Sequence, residues 1–386
     1  MEWVEAEADR RIPLPVLIEI LRETLATHPQ RADLWGQLGR LLNDDDRAED
    51  AVEAYEQSRR LDPVNFADWR SLIDNYVKCG RPQDALNLSA PETTPGLDLA
   101  HGVALLALGD AAAGQAALLR AVARADSSSE VALHRLLNAM CTDEDGGPTL
   151  DLCHRLPDSL RRSTIVRAYG AIALSRTGRT DDARRLVDLE RHVLRVPFAP
   201  PASFGGVEAF NGELAAIVLA LPSTVTSGGP KNDYRDIRYQ PPNAHGLQFE
   251  ALFGFIRGAM AGFIDEMGSR GLDDVMPPPP PRARFVTGTT VLRGDGRNGE
   301  HIHADGYLSS VYHVVLPDCG DDDRGALVLG CCARRTGGYQ PCWGTRTIKP
   351  REGWLTLFPS HIFHDVVPTG VEAPRVSIVA DMNPID

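Results

Sequence analysis

The stretch 301–317, HIHADGYLSSVYHVVLP, places three candidate metal ligands at alternate positions directly before an apolar run. In an extended segment, residues two apart project to the same side. His301, His303 and Asp305 could therefore face one cavity. Two imidazoles and a carboxylate are costly to bury without a purpose. A polar turn with incidental histidines is the alternative, because short motifs often match by chance.

The composition indicates a soluble globular protein. The chain has 386 residues, of which 43% are hydrophobic and 24% charged, enough for two or three domains. A net charge of -13 without a long Lys/Arg run argues against nucleic-acid binding. The apolar runs are shorter than the roughly 18 residues that a membrane span needs. The acidic start and seven scattered cysteines predict a cytoplasmic protein with reduced thiols.

The first half of the chain has the periodicity of a helical repeat. Trp35 and Trp69 are 34 residues apart, and so are Pro29 and Pro63. The residues between them combine large side chains, a small residue where two helices would cross, and a closing proline: Leu38, Gly39, Leu42, Ala51 and Tyr55. This pattern resembles tetratricopeptide repeats. It predicts a TPR-like α-helical array over 1–194, which could bind a protein partner or self-associate.

The composition changes after residue 194. RVPFAPPASFGG (195–206) is typical of a linker, and two apolar helices are expected at 206–221 and 247–267. MPPPPP (276–281) predicts a stiff spacer. Residues 195–282 are therefore expected to be a linker with supporting helices. From 283 to 386, short apolar runs separated by Gly, Asp and Pro predict a jelly-roll type of double sheet.

A late segment could complete a metal site. His364 follows a predicted strand, and Arg375 lies eleven residues further on. Two histidines and one carboxylate with open coordination positions are the facial triad of non-haem Fe(II) oxygenases, and His303, Asp305 and His364 could form it. Arg375 could hold a carboxylate in a two-bond fork, with Ser377 on the same side of the strand as a further donor.

Residues from about 283 to 384 resemble the Fe(II)/2-oxoglutarate-dependent oxygenase superfamily, and more narrowly bacterial oxygenases that follow tetratricopeptide repeats. The matching segments are Asn298, HIHADGYLSSVYHV (301–314), GALVLG (325–330), PREGWLTLFPSHIFHDVVP (350–368), RVS (375–377) and, before the domain, FNGEL (210–214). The resemblance implies an α+β chain that ends in a double-stranded β-helix of the jelly-roll or cupin-like type. It also implies ferrous iron, 2-oxoglutarate as cosubstrate and molecular oxygen.

The ligand set leaves one alternative open. Related sequences often have His-x-His-Pro-x-Gly, so the carboxylate is not a fixed feature, and His301 could replace one of the three proposed ligands. We prefer His303 and Asp305, because His-x-Asp is the general arrangement of the superfamily. His301 would then be a hydrogen-bonding residue beside the metal. Of the other histidines, His361 is expected on an exposed turn, and His313 either as a hydrogen-bonded strand residue or in a cavity wall.

The resemblance implies a dioxygenase that oxidises an unactivated C–H bond of an amino-acid-like, peptide or natural-product substrate. Hydroxylation is the expected outcome, and desaturation or cyclisation would need the same ligands. One alternative is a TPR scaffold with a degenerate oxygenase-like sensing domain. Another is a non-oxidative metal enzyme, in which Arg375 and Ser377 would lack a carboxylate to bind.

Overall fold

The computed structural model describes residues 1–4, 14–64, 66–88, 96–124, 129–221, 246–269, 276–320 and 322–385, and the backbone of 223–225 and 232–235. Two compact units are present. One consists of Ile12–Thr142, and the other of Met1–Arg11 together with Asp143–Asp386. We call them the helical unit and the sheet unit.

The helical unit consists of helices that pack in chain order. These are α1 (Leu14–Thr27), α2 (Ala32–Asp44), α3 (Ala48–Leu61), α4 (Trp69–Lys78), α5 (Pro82–Asn87), α6 (Leu97–Ala107), α7 (Ala111–Ala123) and α8 (Ser129–Met140). Each helix contacts the next one along the chain. Gly39 on α2 lies against the ring of Tyr55 on α3, so close that a Cβ there would be 2.6 Å from Cδ1. The assignment to tetratricopeptide repeats stays a prediction.

The sheet unit combines helices with two sheets, so the chain is α+β as expected. Its helices are α9 (Gly147–Arg155), α10 (Asp158–Arg161), α11 (Thr164–Arg176), α12 (Thr180–Leu186), α13 (Val207–Ala220) and α14 (Gly246–Ser269). Its strands are β1 (Glu2–Val4), β2 (Leu194–Pro197), β3 (Ser223–Val225), β4 (Asn232–Arg235), β5 (Arg282–Leu292), β6 (Leu308–Val315), β7 (Leu327–Leu329), β8 (Arg346–Ile348), β9 (Trp354–Pro359), β10 (His364–Val366) and β11 (Arg375–Ile385).

The larger sheet has eight strands in the order β2-β9-β6-β11-β5-β4-β3, with β1 parallel to β5 and the other pairs antiparallel. The smaller sheet has the order β10-β7-β8. In the centre of the larger sheet, Ser377 on β11 pairs with His313 on β6 and with Thr290 on β5. This register places side chains from three central strands on one face.

The outer face of the larger sheet is covered by helices. Val376, Ile378, Ala380 and Met382 of β11 are buried in one apolar cluster with side chains of α13 and α14. Residues of α14 reach this cluster at helical spacing: Phe249, Leu252, Ile256, Met260, Phe263 and Met267. By length and composition α14 could cross a membrane. Its buried stripe instead gives it the role of a core helix in this unit.

The inner face of the larger sheet packs on the smaller sheet. Leu292, Val311 and Phe358 from the larger sheet share an apolar cluster with Leu327 and Val366 from the smaller one. This double-sheet arrangement agrees with the expected jelly-roll type of domain. Polar residues that alternate with these apolar ones point into the same interior.

The compact units divide the chain differently from the expected boundary at residue 194. Helix α11 is part of the sheet unit and contacts its C-terminal segment directly. Thr164 Oγ1 donates to the carbonyl of Gly306 at 2.6 Å, and the ring of Tyr169 lies edge-on to Phe363. The Ser175 and Tyr339 hydroxyls are 2.8 Å apart. The last predicted helical pair thus supports the sheets, a role that its Ala/Leu texture did not reveal.

Candidate metal centre

Three histidines meet where the segment after β5 crosses the start of β10. His301 and His364 form an isolated antiparallel bridge, in which each backbone N–H donates to the other carbonyl at 3.0 Å. The backbone N–H of His303 donates to the carbonyl of Ser360 at 3.2 Å. These backbone bonds tie residues that are some sixty positions apart in the chain. The side chains of His301, His303 and His364 therefore come together.

The geometry of the three histidines suits one metal ion. Their candidate ligand atoms all lie within 4.8 Å of one another. The Nε2 atoms of His301 and His303 are 3.2 Å apart. Two nitrogens bound about 2.1 Å from one ion, at an angle between a right angle and a tetrahedral one, would be roughly 3.0–3.4 Å apart.

The hydrogen bonds of these histidines leave Nε2 as the ligand atom. Nδ1 of His301 lies 2.7 Å from the Gly299 carbonyl, and Nδ1 of His364 lies 3.1 Å from the Ile362 carbonyl. Nδ1 of His303 lies 2.5 Å from Oδ2 of Asp381. Because each neighbour is an acceptor, each Nδ1 carries the proton and each Nε2 carries a lone pair. Two lone pairs 3.2 Å apart need a cation between them, so the residues fit a metal.

Asp305 does not join this group, which corrects the geometry expected from the sequence. The chain turns at Ala304–Asp305, and the N–H of Gly306 donates back to the His303 carbonyl at 2.9 Å. Asp305 is exposed as a result. The alternate-position argument requires an extended chain, and that condition ends at His303. His301, which the sequence left as the alternative ligand, occupies the third corner.

Asp381 is a residue of this site that sequence reasoning missed. Its carboxylate accepts the hydrogen bond from His303, while its Oδ1 is buried without a partner among the described residues. A carboxylate behind a ligating imidazole fixes the ring and raises its basicity. The available signal was the strand period, because Arg375, Ser377 and Asp381 lie at even separations on β11.

Burial keeps two of the three imidazoles neutral. It lowers the pKa of His364 well below its usual value, with the neighbouring His301 and His303 adding to the effect. Burial, followed by His303, also lowers the pKa of His301. A neutral imidazole is the form that binds a metal ion, so these ligands are ready for metal at neutral pH.

A second polar group lies in the same interior. Arg375 is 1% exposed, and its Nη1 donates to Ser377 Oγ at 2.9 Å while its Nε donates to the Gly325 carbonyl at 3.2 Å. Its Nη2 has no hydrogen-bond partner among the described residues. Burial lowers the pKa of Arg375 to about 10, so the guanidinium is still charged at neutral pH. A buried cation with a free donor fits an anionic ligand.

His313 and Thr356 extend this polar interior. Both ring nitrogens of His313 and the hydroxyl of Thr356 are buried without partners among the residues described. His313 is therefore not a hydrogen-bonded strand residue, and burial, aided by Arg375, lowers its pKa well below the usual value. Uncompensated polar atoms of this kind are rare in folded proteins and favour a bound group.

The remaining expectation for this region was wrong. His361 is buried rather than exposed, and its Nε2 donates to the Leu186 carbonyl at 2.8 Å. Burial lowers its pKa to about 3. This histidine stabilises the contact between α12 and the segment before β10.

Comparison with known proteins identifies the domain. Residues 289–381 match the family model described as "Putative 2OG-Fe(II) oxygenase". This match spans β6 to the middle of β11 and includes every residue of the two polar groups above. No characterised protein sequence matches the chain.

Solved structures with a similar fold include three oxygenases. A prolyl-4-hydroxylase from Pseudomonas putida is 15% identical, with a TM-score of 0.34, covering 53% of this chain and 99% of that chain. A prolyl hydroxylase from Trichoplax adhaerens, in complex with a hypoxia inducible factor peptide, is 15% identical, with a TM-score of 0.34 and coverages of 54% and 91%. HygX from Streptomyces hygroscopicus, with nickel and 2-oxoglutarate bound, is 13% identical, with a TM-score of 0.33 and coverages of 52% and 86%.

The chain thus contains a 2OG-Fe(II) oxygenase domain, as the sequence resemblance implied. The protein is an Fe(II)- and 2-oxoglutarate-dependent oxidoreductase.

Proposed function

We propose that this oxidoreductase is a dioxygenase that hydroxylates an unactivated C–H bond of an amino-acid-like, peptide or natural-product substrate. The observation that carries the proposal is the convergence of three Nε2 atoms in the same interior as the unpartnered guanidinium of Arg375. When bound, iron and 2-oxoglutarate supply oxidising power from molecular oxygen, with succinate and carbon dioxide as coproducts.

In this proposal His301, His303 and His364 hold the iron, and Asp305 does not. Three neutral imidazoles replace the usual pair of histidines and one carboxylate. Asp381 then supplies the negative charge from behind His303, through the bond to its Nδ1. The Gly299 and Ile362 carbonyls hold the other two rings in the same tautomer.

Arg375 and Ser377 hold the far carboxylate of 2-oxoglutarate. The Nη2 of Arg375 is free to donate, and Ser377, which accepts from Nη1, has its own hydroxyl proton to donate. His313 and Thr356 line the same interior with unused polar atoms. Since this pocket is closed to water, the charge-assisted bonds there are strong.

The scaffold alternative, with a degenerate site, is less well supported. A degenerate site would be free to lose its donors, whereas here three imidazoles and the guanidinium are all oriented by hydrogen bonds. Recruitment of a partner or self-association through the helical unit, and a cytoplasmic location, stay predictions.

The test is anaerobic titration of the metal-free protein with Fe(II) and then with 2-oxoglutarate, followed by exposure to oxygen. We expect one iron and one 2-oxoglutarate per chain, and succinate formation that rises when a true substrate is added. His364→Ala should bind neither iron nor, through iron, 2-oxoglutarate. Binding of iron without 2-oxoglutarate would contradict the proposal and favour a non-oxidative metal enzyme.

A further inference from the structure

A basic mouth opens beside the metal centre. It is a solvent-open cavity of about 580 Å³, lined by Arg297, Asn298, Gly299, Glu300, His301, Arg334 and Arg335. Because His301 is both a lining residue and a proposed iron ligand, a molecule in this cavity lies next to the metal. Three arginines in one lining are unexpected in a chain with a net charge of -13.

Two of the arginines are fixed by other groups of the same unit. Arg297 forms an ion pair with Asp365, which neutralises its charge. Arg335 donates from Nε and Nη2 to the backbone carbonyl of Glu300, at 2.8 and 2.6 Å. A carbonyl accepts a hydrogen bond but carries no formal charge, so Arg335 keeps its positive charge in the lining.

Arg334 is the arginine that is left available. Its backbone N–H donates to the Glu300 carboxylate at 3.0 Å, which holds the residue at the rim. Its side chain is exposed and has no carboxylate partner among the residues that the structure describes. With Glu300 and Asp365 each offsetting one guanidinium, one positive charge remains in excess at the mouth.

We infer that this mouth binds an anionic group of the substrate, a carboxylate or a phosphate, with Arg334 as its main contact. The inference rests on the proposed function, since it identifies the substrate class of that same site. A planar guanidinium at the rim of a pocket can form two parallel bonds with such a group. Binding there would orient the rest of the substrate toward the metal.

The experiment uses the full-length protein loaded with Mn(II) and saturated with 2-oxoglutarate. Mn(II) shortens the nuclear relaxation times of nearby molecules, an effect that falls steeply with distance. The probes are inorganic phosphate, observed by ³¹P relaxation, and ¹³C-labelled acetate, observed by ¹³C relaxation. We expect a saturable relaxation enhancement for at least one probe, and the tighter one indicates which anionic group the mouth prefers.

Variants of Arg334 give the decisive comparison. Arg334→Gln should weaken probe binding by about tenfold or more, the loss expected for one charge-assisted hydrogen bond, and Arg334→Glu should abolish it. Arg161→Gln removes the same charge from an exposed helix position of the same unit and should bind the probe like the parent. Since the Arg334 side chain is exposed, both variants are expected to fold.

Two results would overturn the inference: no saturable enhancement in the parent protein, or equal binding by Arg334→Gln and the parent. Mn(II) and 2-oxoglutarate binding are measured first on the same sample. If these fail, the proposed function fails. If these succeed while the anion probes do not bind, only the anionic substrate site is rejected.

Discussion

The two faces of β11 carry opposite chemistry, although their residues alternate along a single strand. Val376, Ile378, Ala380 and Met382 face the helices and are fully buried among apolar side chains. Arg375, Ser377 and Asp381 face the interior between the sheets, where Nη2 of Arg375 and Oδ1 of Asp381 have unused hydrogen-bonding capacity. The period of two thus lets one strand build the core on one side and a binding site on the other. Changes on the two faces should therefore have separable effects on stability and on ligand binding.

The largest expected effect is the loss of a metal ligand from the inner face. His301→Ala removes one of three donors, and we expect its Fe(II) affinity to fall by more than about a hundredfold, a larger effect than losing a supporting hydrogen bond. Asp305→Ala should bind Fe(II) like the parent, because Asp305 is exposed. Anaerobic competition with a chromophoric chelator measures both. The reverse result would restore Asp305 as the ligand.

A change on the outer face should affect stability alone. Ile378→Ala removes buried atoms from the cluster beneath α13 and α14 and should lower the free energy of unfolding by about 2–5 kcal/mol. Fe(II) affinity measured below the unfolding transition should stay unchanged. Chemical denaturation and the chelator competition are the two measurements. Val286→Ala, at a half-exposed position on β5, serves as the control and should cost little.

Arg375→Lys tests the inner face at the cosubstrate. Lysine keeps the charge but loses the planar fork, so loss of one charge-assisted bond, worth about 1.5–3 kcal/mol, should weaken 2-oxoglutarate binding by roughly tenfold to a hundredfold. Iron binding should be spared, since Arg375 is not among the grouped metal-binding histidines. Anaerobic titration of the Fe(II) protein with 2-oxoglutarate is the measurement, with the exposed Arg282→Lys as the control. Parent-like affinity would remove Arg375 from the cosubstrate site.

Asp381→Asn tests the support of His303. An amide oxygen can still accept the hydrogen bond from Nδ1, but the negative charge is lost, so Fe(II) affinity should fall by about tenfold to a hundredfold. The exposed Asp305→Asn removes the same charge nearby and should have no effect. Equal Fe(II) affinities for the two variants in the chelator competition would mean that Asp381 does not support the metal.

The smallest effect is expected from pH on the sheet unit. The pKa of His361 is about 3 in the folded protein, below the value of about 6.5 in an unfolded chain. Above that upper value both states are neutral and His361 makes no pH-dependent contribution. As the pH falls below it, only the unfolded state binds the proton, so stability falls by about 1.4 kcal/mol per pH unit until the folded pKa is reached.

Hydrogen exchange of the β11 amides in the metal-free protein, corrected for the intrinsic pH dependence, should show this loss between pH 6.5 and pH 5. His361→Gln should reduce the slope, whereas His154→Gln, at an exposed position on α9, should not. An unchanged slope in His361→Gln would show that His361 does not cause the acid sensitivity.

Much of the metal centre could be predicted from residue types and periods. His364 follows a short strand, and Arg375 and Ser377 share a strand face, as expected. The choice between Asp305 and His301 could not be predicted in the same way. It depends on the turn that closes between Gly306 and His303, and Gly306 is required there because a Cβ would meet Ser360 Oγ at 2.4 Å. Ser360 is more than fifty residues away in the sequence.

The sequence by itself determined the α+β class, the run of strands after the prolines, the oxygenase resemblance and the identity of the residues that could bind iron and a carboxylate. These depend on local periods and residue chemistry, which act over a few positions. Only the tertiary structure decided which donors converge, that Asp381 lies behind His303, that His361 is buried and that Arg334 stands at a basic mouth. The physical reason is that these contacts join segments far apart in the chain, through sheet register and turn closure.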